Sequence, residues 1–469
     1  MSQDKGFVNF ESSDNELINR FAQVVNNNQT YFFESDDFEE IIDYYFERGI
    51  YDWALKAIDK AIDQYPNNTD FIFDKVQVLL ETESPIQAYN ILIYLEKLEP
   101  SNYQIPFLKG CAYCQTSKVN DAVKCFEHAV AICETDRVEL LYNIAVNFIH
   151  IAEYKRAIGY LQRAFVESPD NFNLHYDLGY CFDQVEDAER SIYHYNQYLD
   201  NEPFSDLVWL NLGTVFSKTE QFDKAIEAYD FALAINERNT MASLYKGNSL
   251  VNQGKHREAI KEYKEYLLLE ENDPEVLCYI GECYEKLGYW EIALSYYNRG
   301  IEVDPDYADA HYGISIVLSY KENFYESMKF LNKAISLEPE NPEYWFTMGN
   351  IYLKLRFDDK AIDSYRKAVE LDPYDSESWL NMSEIYLKKN LLSKAIKILE
   401  DSYHYNSDDT TINYRLAAYN FLKCDISQGV YYFRRGLDNN YQEHAEMFKY
   451  CPDAKEMREV NDMLKKYNI

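Results

Sequence analysis

Residues 342–375 read PEYWFTMGNIYLKLRFDDKAIDSYRKAVELDPYD, and two helical periods fit inside them. Trp345, Met348, Gly349 and Tyr352 recur at three- and four-residue steps, which places them on one face of a first helix; Ala361, Tyr365 and Ala368 do the same on a second. A polar corner, Arg356 to Asp359, separates the two, and Pro373, which has no backbone N–H, stands where the second helix should end. The stretch predicts a helical hairpin.

The pattern repeats along the whole chain. The small residue that opens the packed face of the second helix recurs at Ala54, Ala88, Ala122, Ala157, Ser191, Ala225, Ala259, Ala293, Ser327, Ala361, Ala395 and Gly429, always 34 residues apart except for 35 between Ala122 and Ala157. The first helix has its own small position at Gly110, Gly179, Gly213, Gly247, Gly281 and Gly349, with Ala145, Ser315, Ser383 and Ala417 standing in elsewhere. A glycine inside a helix costs up to about 1 kcal/mol relative to alanine, so its recurrence implies a packing return, here expected where two helix backbones approach. Pro66, Pro100, Pro169, Pro203, Pro305, Pro339 and Pro373 fall at the turns between hairpins. These are therefore scaffold glycines and prolines, not parts of a phosphate-binding loop.

With Trp, Gly, Tyr, Ala, Tyr, Ala and Pro in this order and spacing, the unit resembles the tetratricopeptide (TPR) repeat. The resemblance implies an all-α fold, a right-handed α-solenoid superhelix of about twelve 34-residue helix-turn-helix repeats with N- and C-terminal capping helices. Residues 1–34 are expected to hold a disordered start (1–15) and a capping helix from Glu16 to about Asn27, with Leu17, Ile18, Phe21 and Val24 on one face. Residues 35–440 carry the repeats, the one-residue insertion lying around residues 134–137, and residues 441–469 supply a closing helix with Met457, Val460 and Leu464 on one face. The opening YFFESDDFEEIIDYYFERG also resembles the starts of TPR proteins from Bacteroidota-type bacteria.

Composition narrows the function. Forty-six Lys and Arg against 80 Asp and Glu leave a formal charge of −34, which disfavours nucleic acid and anionic membrane surfaces as partners and favours basic ones. Nine scattered cysteines, an odd number, fit reduced thiols in a cytoplasmic protein, and neither a secretory leader nor a membrane span is legible. Cys111 and Cys114 form a C-x-x-C without a second pair at metal spacing and read as helix-surface residues. His175 and His311 occupy the Trp-type position and read as packing residues. With no phosphate loop, dinucleotide fingerprint or catalytic triad in the sequence, neither an enzyme nor a cofactor nor a metal is expected.

The resemblance places ligands on the concave wall made by the first helices. Carried over repeat by repeat, its lining positions are Tyr142 and Asn143, then Tyr176, Asp177 and Tyr180, then Asn211 and Thr214. Tyr245 and Asn248 follow, then Tyr279 and Glu282, Tyr312, Phe346 and Asn350, and finally Asn381 and Glu384. Amides can pair with a peptide backbone, and tyrosines give wide contact with a polar tip. The resulting expectation is a scaffold or adaptor that binds basic protein or peptide segments in the groove, with Glu262 and Lys264 facing outward. Two alternatives stand beside it: a co-chaperone gripping an acidic chaperone tail, for which Phe346, Asn350, Asn381, Thr411 and Arg415 form the best window but lack the family's lysines, and a regulatory subunit of a larger bacterial assembly. Neither the partner nor the oligomeric state follows from the sequence.

Overall fold

The computed structural model describes residues 16–27 and 29–467, so the disorder expected of residues 1–15 lies outside the described residues. Among these the chain forms 27 α-helices and no strand. It divides into two units, residues 1–224 and 225–469, the division falling within the helix Phe222–Ile235. In both, consecutive helices pair as antiparallel hairpins that stack on their neighbours, as in Pro274–Lys286 with Trp290–Val303 and Ala308–Tyr320 with Phe324–Leu337.

One backbone feature counts the hairpins. The turn between first and second helix holds a single residue with positive φ at Gly49, Glu83, Ser117, Ala152, Glu186, Glu220, Gly254, Gly288, Glu322, Arg356, Asn390 and Cys424. Twelve turns in the same register confirm twelve hairpins, although most of these residues have a Cβ that the left-handed region disfavours. Asp136 (φ 52°) adds a left-handed residue just before the helix Arg137–His150, and the extra residue of the 35-residue interval is accommodated there. Because Gly254 sits at φ 73° and Ala152 at φ 58°, exchanging their side chains has opposite signs. Gly254→Ala should destabilise by about 1 kcal/mol and Ala152→Gly should stabilise by up to about 1 kcal/mol, read from denaturant midpoints.

The helix starts are fixed locally. In the second unit Asn239, Asp273, Asn341, Asp375 and Asp409 each accept a hydrogen bond from a backbone N–H of the first turn that follows, a cap worth about 1 kcal/mol. The Trp-type position then ties the same turn to the preceding one. Trp345 Nε1 donates to the Pro339 carbonyl at 2.9 Å and Trp379 Nε1 to the Pro373 carbonyl at 3.0 Å. His311 Nε2 makes the equivalent bond to Pro305 (2.9 Å), and Asn413 Nδ2 makes it to Ser407 (2.8 Å). Trp345, Trp379, His311 and Asn413 thus share an N–H donor six residues after an open carbonyl, whereas Leu141 and Leu277 are buried at the equivalent place with no polar hydrogen to donate.

The recurring glycine has a different cause from the one expected. A Cβ on Gly110 would stand 2.3 Å from the Phe126 ring, and one on Gly179, Gly247, Gly281 or Gly349 would stand 2.7, 2.4, 2.6 or 2.6 Å from the ring of Tyr195, Tyr263, Tyr297 or Tyr365. The glycine makes room for the aromatic side chain 16 residues later, not for a second backbone. At three of the four stand-ins, Ala145, Ser315 and Ser383, the residue 16 positions later is the smaller Leu161, Leu331 or Leu399; only Ala417, in the last hairpin, has an aromatic there, Phe433. The last hairpin inverts the arrangement: Gly436 and Gly429, on its second helix, accommodate the rings of Tyr414 and Phe421 from its first.

The ends also depart from expectation in detail. The helix Glu16–Asn26 buries Ile18, Phe21 and Val24, whereas Leu17 is only partly covered. After Asn440 the chain forms two helices, Ala445–Tyr450 and Arg458–Tyr467, joined by a 3-10 turn that Pro452 opens. Met447, Cys451, Ala454, Val460 and Met463 pack there against the final hairpin, so that Ile412 to Phe421 is buried on every side. Cys111 and Cys114 are not surface residues: both are buried, and desolvation pushes the Cys114 thiol up to about 12 and the Cys111 thiol higher still. His175 is buried with its Nδ1 2.7 Å from that of His194, and desolvation holds both imidazoles below the usual histidine range.

Candidate interaction wall

In the unit of residues 225–469, the first helices Pro274–Lys286, Ala308–Tyr320 and Pro342–Lys354 share one wall of an open cavity of about 710 Å³. Four carboxylates line it: Glu282 and Glu285 from the first helix, Asp309 from the second and Glu343 from the third. Lys286 is the one base among its lining residues. The aromatic side is Trp290, Tyr297, Tyr312, Tyr320 and Phe346, with the rings of Trp290 and Tyr320 stacked at 3.8 Å between centroids.

Tyrosine hydroxyls aim three of the four carboxylates. Tyr297 donates to Glu285 Oε2 at 3.1 Å, Tyr344 to Asp309 Oδ1 at 2.6 Å and Tyr312 to Glu343 Oε1 at 2.9 Å, and the Tyr312 hydroxyl also meets Thr347 Oγ1 at 3.1 Å. Glu282 is an exposed residue, so solvent screens part of the effect, but desolvation of its carboxyl, followed by the charges of Asp309, Glu285 and Glu343, pushes it up toward about 7. Glu285 is raised as well, again first by burial. An ionised carboxylate whose value is raised on folding opposes folding, and that penalty disappears as pH falls from about 7 toward the ordinary 4.5. Glu282→Gln should therefore melt higher than the native chain at pH 8, and the difference should vanish near pH 4.5.

A second cavity of about 270 Å³ adjoins the first across Glu282 and Lys286, which line both. Its walls are less polar, built from Val251, Tyr263, Tyr279 and Cys283, with Asn248 and His256 beside them. His256 Nδ1 is buried there without a hydrogen-bond partner.

The expected positions fall unevenly around these cavities. Glu282, Tyr312, Phe346 and Asn350 line the larger one, and Asn248, Tyr279 and Glu282 the smaller; Tyr245, Asn381 and Glu384 line neither. Asn248 and Asn350 are partly structural, because their Oδ1 atoms accept the hydroxyls of the buried Tyr263 (2.7 Å) and Tyr365 (2.6 Å). Tyr279 gives its hydroxyl to Glu275 in its own helix. Glu384 is engaged by Lys388 at 2.7 Å and by Arg415 at 3.8 Å, with Tyr450 behind them.

In the unit of residues 1–224, Tyr176 packs against Tyr195 and Tyr198, Tyr180 against Tyr154, and the carboxyl of Asp177 is raised by burial beside Tyr142. The carbonyl of Asn143 accepts from Asn147, Thr214 returns its hydroxyl to Leu210 in its own helix, and the Asn211 side chain is hydrogen-bonded to Tyr176. Glu262 is not outward-facing: with Asp230 it clamps Lys246, at 3.0 and 2.7 Å, and its side chain is 12% exposed. Lys264, though exposed, reaches Tyr284 at 3.2 Å and lies over the Tyr296 ring. Among the described residues no group of three or more His, Cys, Asp or Glu side chains is arranged to hold a metal ion, and no helix is long and apolar enough to cross a membrane.

The fold and this wall define a stack of helical hairpins that presents its first helices. Family models of the tetratricopeptide repeat match residues 148–206, 207–239, 274–307, 308–341, 342–375 and 364–397, and these hairpins are tetratricopeptide repeats. No curated protein matches the chain. Among solved structures, yeast Tom70 is similar over 92% of this chain and 98% of its own, at 14% identity and a TM-score of 0.47. A tetratricopeptide repeat protein from Parabacteroides merdae is similar over 53% of this chain and 98% of its own, at 15% identity and 0.46. YrrB, a TPR protein with an unusual peptide-binding site, is similar over 38% and 92%, at 25% identity and 0.34.

Proposed function

We propose that this protein is a non-enzymatic interaction scaffold that captures basic segments of partner proteins on the first-helix wall of residues 225–469. The observation that supports it is the cavity in which Glu282, Glu285, Asp309 and Glu343 converge from three successive repeats with Lys286 as the one basic lining residue. Like charges held together raise each other's proton affinity, and an incoming ammonium or guanidinium group relieves that repulsion. Tyr142, Tyr176, Asp177 and Tyr180 offer a comparable, less acidic face in residues 1–224. Arg415 counts against the chaperone-tail alternative, since it is 9% exposed and lies 4.5 Å from the Tyr450 ring.

The test is fluorescence anisotropy with two labelled peptides, four arginines or four glutamates spaced by Gly-Ser. The arginine peptide should bind and the glutamate peptide should not, and binding should weaken as salt rises from about 0.05 to 0.5 M because part of the attraction is screened. Glu282→Gln/Asp309→Asn/Glu343→Gln should weaken it at least tenfold. The exposed triple Glu265→Gln/Glu271→Gln/Glu302→Gln removes the same net charge and should change it less than twofold. Equal losses in the two triples would place the attraction in the net charge of the chain and overturn the assignment to this wall.

A further inference from the structure

We infer that the wall reads a two-residue signature, one basic and one apolar side chain carried on the same extended partner segment. This inference rests on the reading above and adds a specificity to it. The larger cavity supplies negative charge and aromatic faces, which suit an arginine or lysine: a guanidinium can stack on rings such as Trp290 and Tyr320 while Glu282, Asp309 or Glu343 accepts its hydrogens. The smaller cavity differs in chemistry. Its volume of about 270 Å³ and the mainly apolar surface that Val251, Tyr263, Tyr279 and Cys283 give it suit an aliphatic side chain, with Glu282 and Lys286 only at the border with the larger cavity.

The two cavities are adjacent, not independent. Glu282 and Lys286 stand on the helix Pro274–Lys286, one turn apart, and border both. The smaller cavity reaches back to the helix Thr240–Asn252 through Asn248 and Val251, and the larger reaches forward to Pro342–Lys354 through Glu343 and Phe346. A ligand crossing this wall therefore moves from an apolar to an acidic environment in about one repeat. Packed helices lie about 8–10 Å apart, and an extended chain advances about 3.3 Å per residue, so the two side chains should be about three residues apart.

The experiment measures the affinity of the full chain for labelled peptides of Gly and Ser carrying Arg alone, Leu alone, or Leu and Arg separated by one to six positions. The expected result is an optimum near a separation of three, at least tenfold tighter than Arg alone, with Leu alone not binding. Val251→Trp, which fills the smaller cavity, should reduce the dyad to the affinity of Arg alone and leave that affinity unchanged. Arg alone binding as tightly as every dyad would overturn the two-residue signature while leaving the acidic wall in place. Failure of all the arginine peptides would overturn the acidic-wall reading itself, and the signature with it.

Discussion

Gly110→Ala should lose about 1–3 kcal/mol of stability, although alanine is the better helix former by about 1 kcal/mol. The added methyl would stand 2.3, 2.5 and 2.8 Å from three carbons of the Phe126 ring, and that ring is fully buried against Phe107 and Phe148. It has no open side toward which to move. Phe126→Leu alone should lose a similar amount through the cavity it leaves. The double substitution recreates the Ala145 and Leu161 pair found in the next repeat and should recover most of both losses. Chemical denaturation of the four proteins gives the coupling energy directly, and additive losses would refute the steric account of the glycine.

Ending the chain after Asn440 should have the second large effect. The segment beyond it buries Met447, Cys451, Val460 and Met463 against the last hairpin, and Tyr450 lies across Arg415. At about 1.5–3 kcal/mol for each large apolar side chain fully buried, its removal withdraws on the order of 5 kcal/mol of packing and uncovers Ile412 to Phe421. In a stack held together by nearest-neighbour contacts the loss should stay local. Hydrogen exchange should therefore accelerate in Thr410–Leu422 and Ile426–Asn440 and remain unchanged in Pro274–Lys286, and the shortened chain should self-associate. Unchanged protection of the last hairpin would show that the terminal helices contribute no stability.

The hairpin register was legible because it rests on residue size, which a sequence states outright. Ala361 and Gly349 could be placed on packed faces from spacing alone. What Gly349 accommodates could not, because the Tyr365 ring reaches it from the opposite helix and spacing does not reveal side-chain direction. The left-handed turn was hidden for a related reason: Glu186 and Arg356 adopt it where the sequence signal would be glycine.

The wall was only half visible. Glu282 and Tyr312 occupy repeat-equivalent lining positions, so register finds them. Asp309 and Glu343 lie in the first turns of their helices, where an acid reads as a partner of the helix dipole, and only stacking reveals that they converge with Glu285. Asn248 carried the opposite error, since a lining amide gave no sign that its oxygen was committed to Tyr263. Glu262 failed as an outward residue because Lys246, on the first helix of the same hairpin, draws it in while also pairing with Asp230 of the preceding repeat, a three-residue cluster that no single-repeat pattern contains.

The central claim is that a basic segment is bound by the first helices of residues 274–354. Hydrogen exchange of the full chain with and without a saturating Leu–Arg dyad peptide tests it directly, because exchange reports where protection arises without altering any residue. The account predicts slowed exchange in Pro274–Lys286, Ala308–Tyr320 and Pro342–Lys354 together, with Phe324–Leu337 and Asp358–Leu371 unaffected. Protection confined to those second helices, or to Ala445–Tyr450 at the chain end, would contradict it.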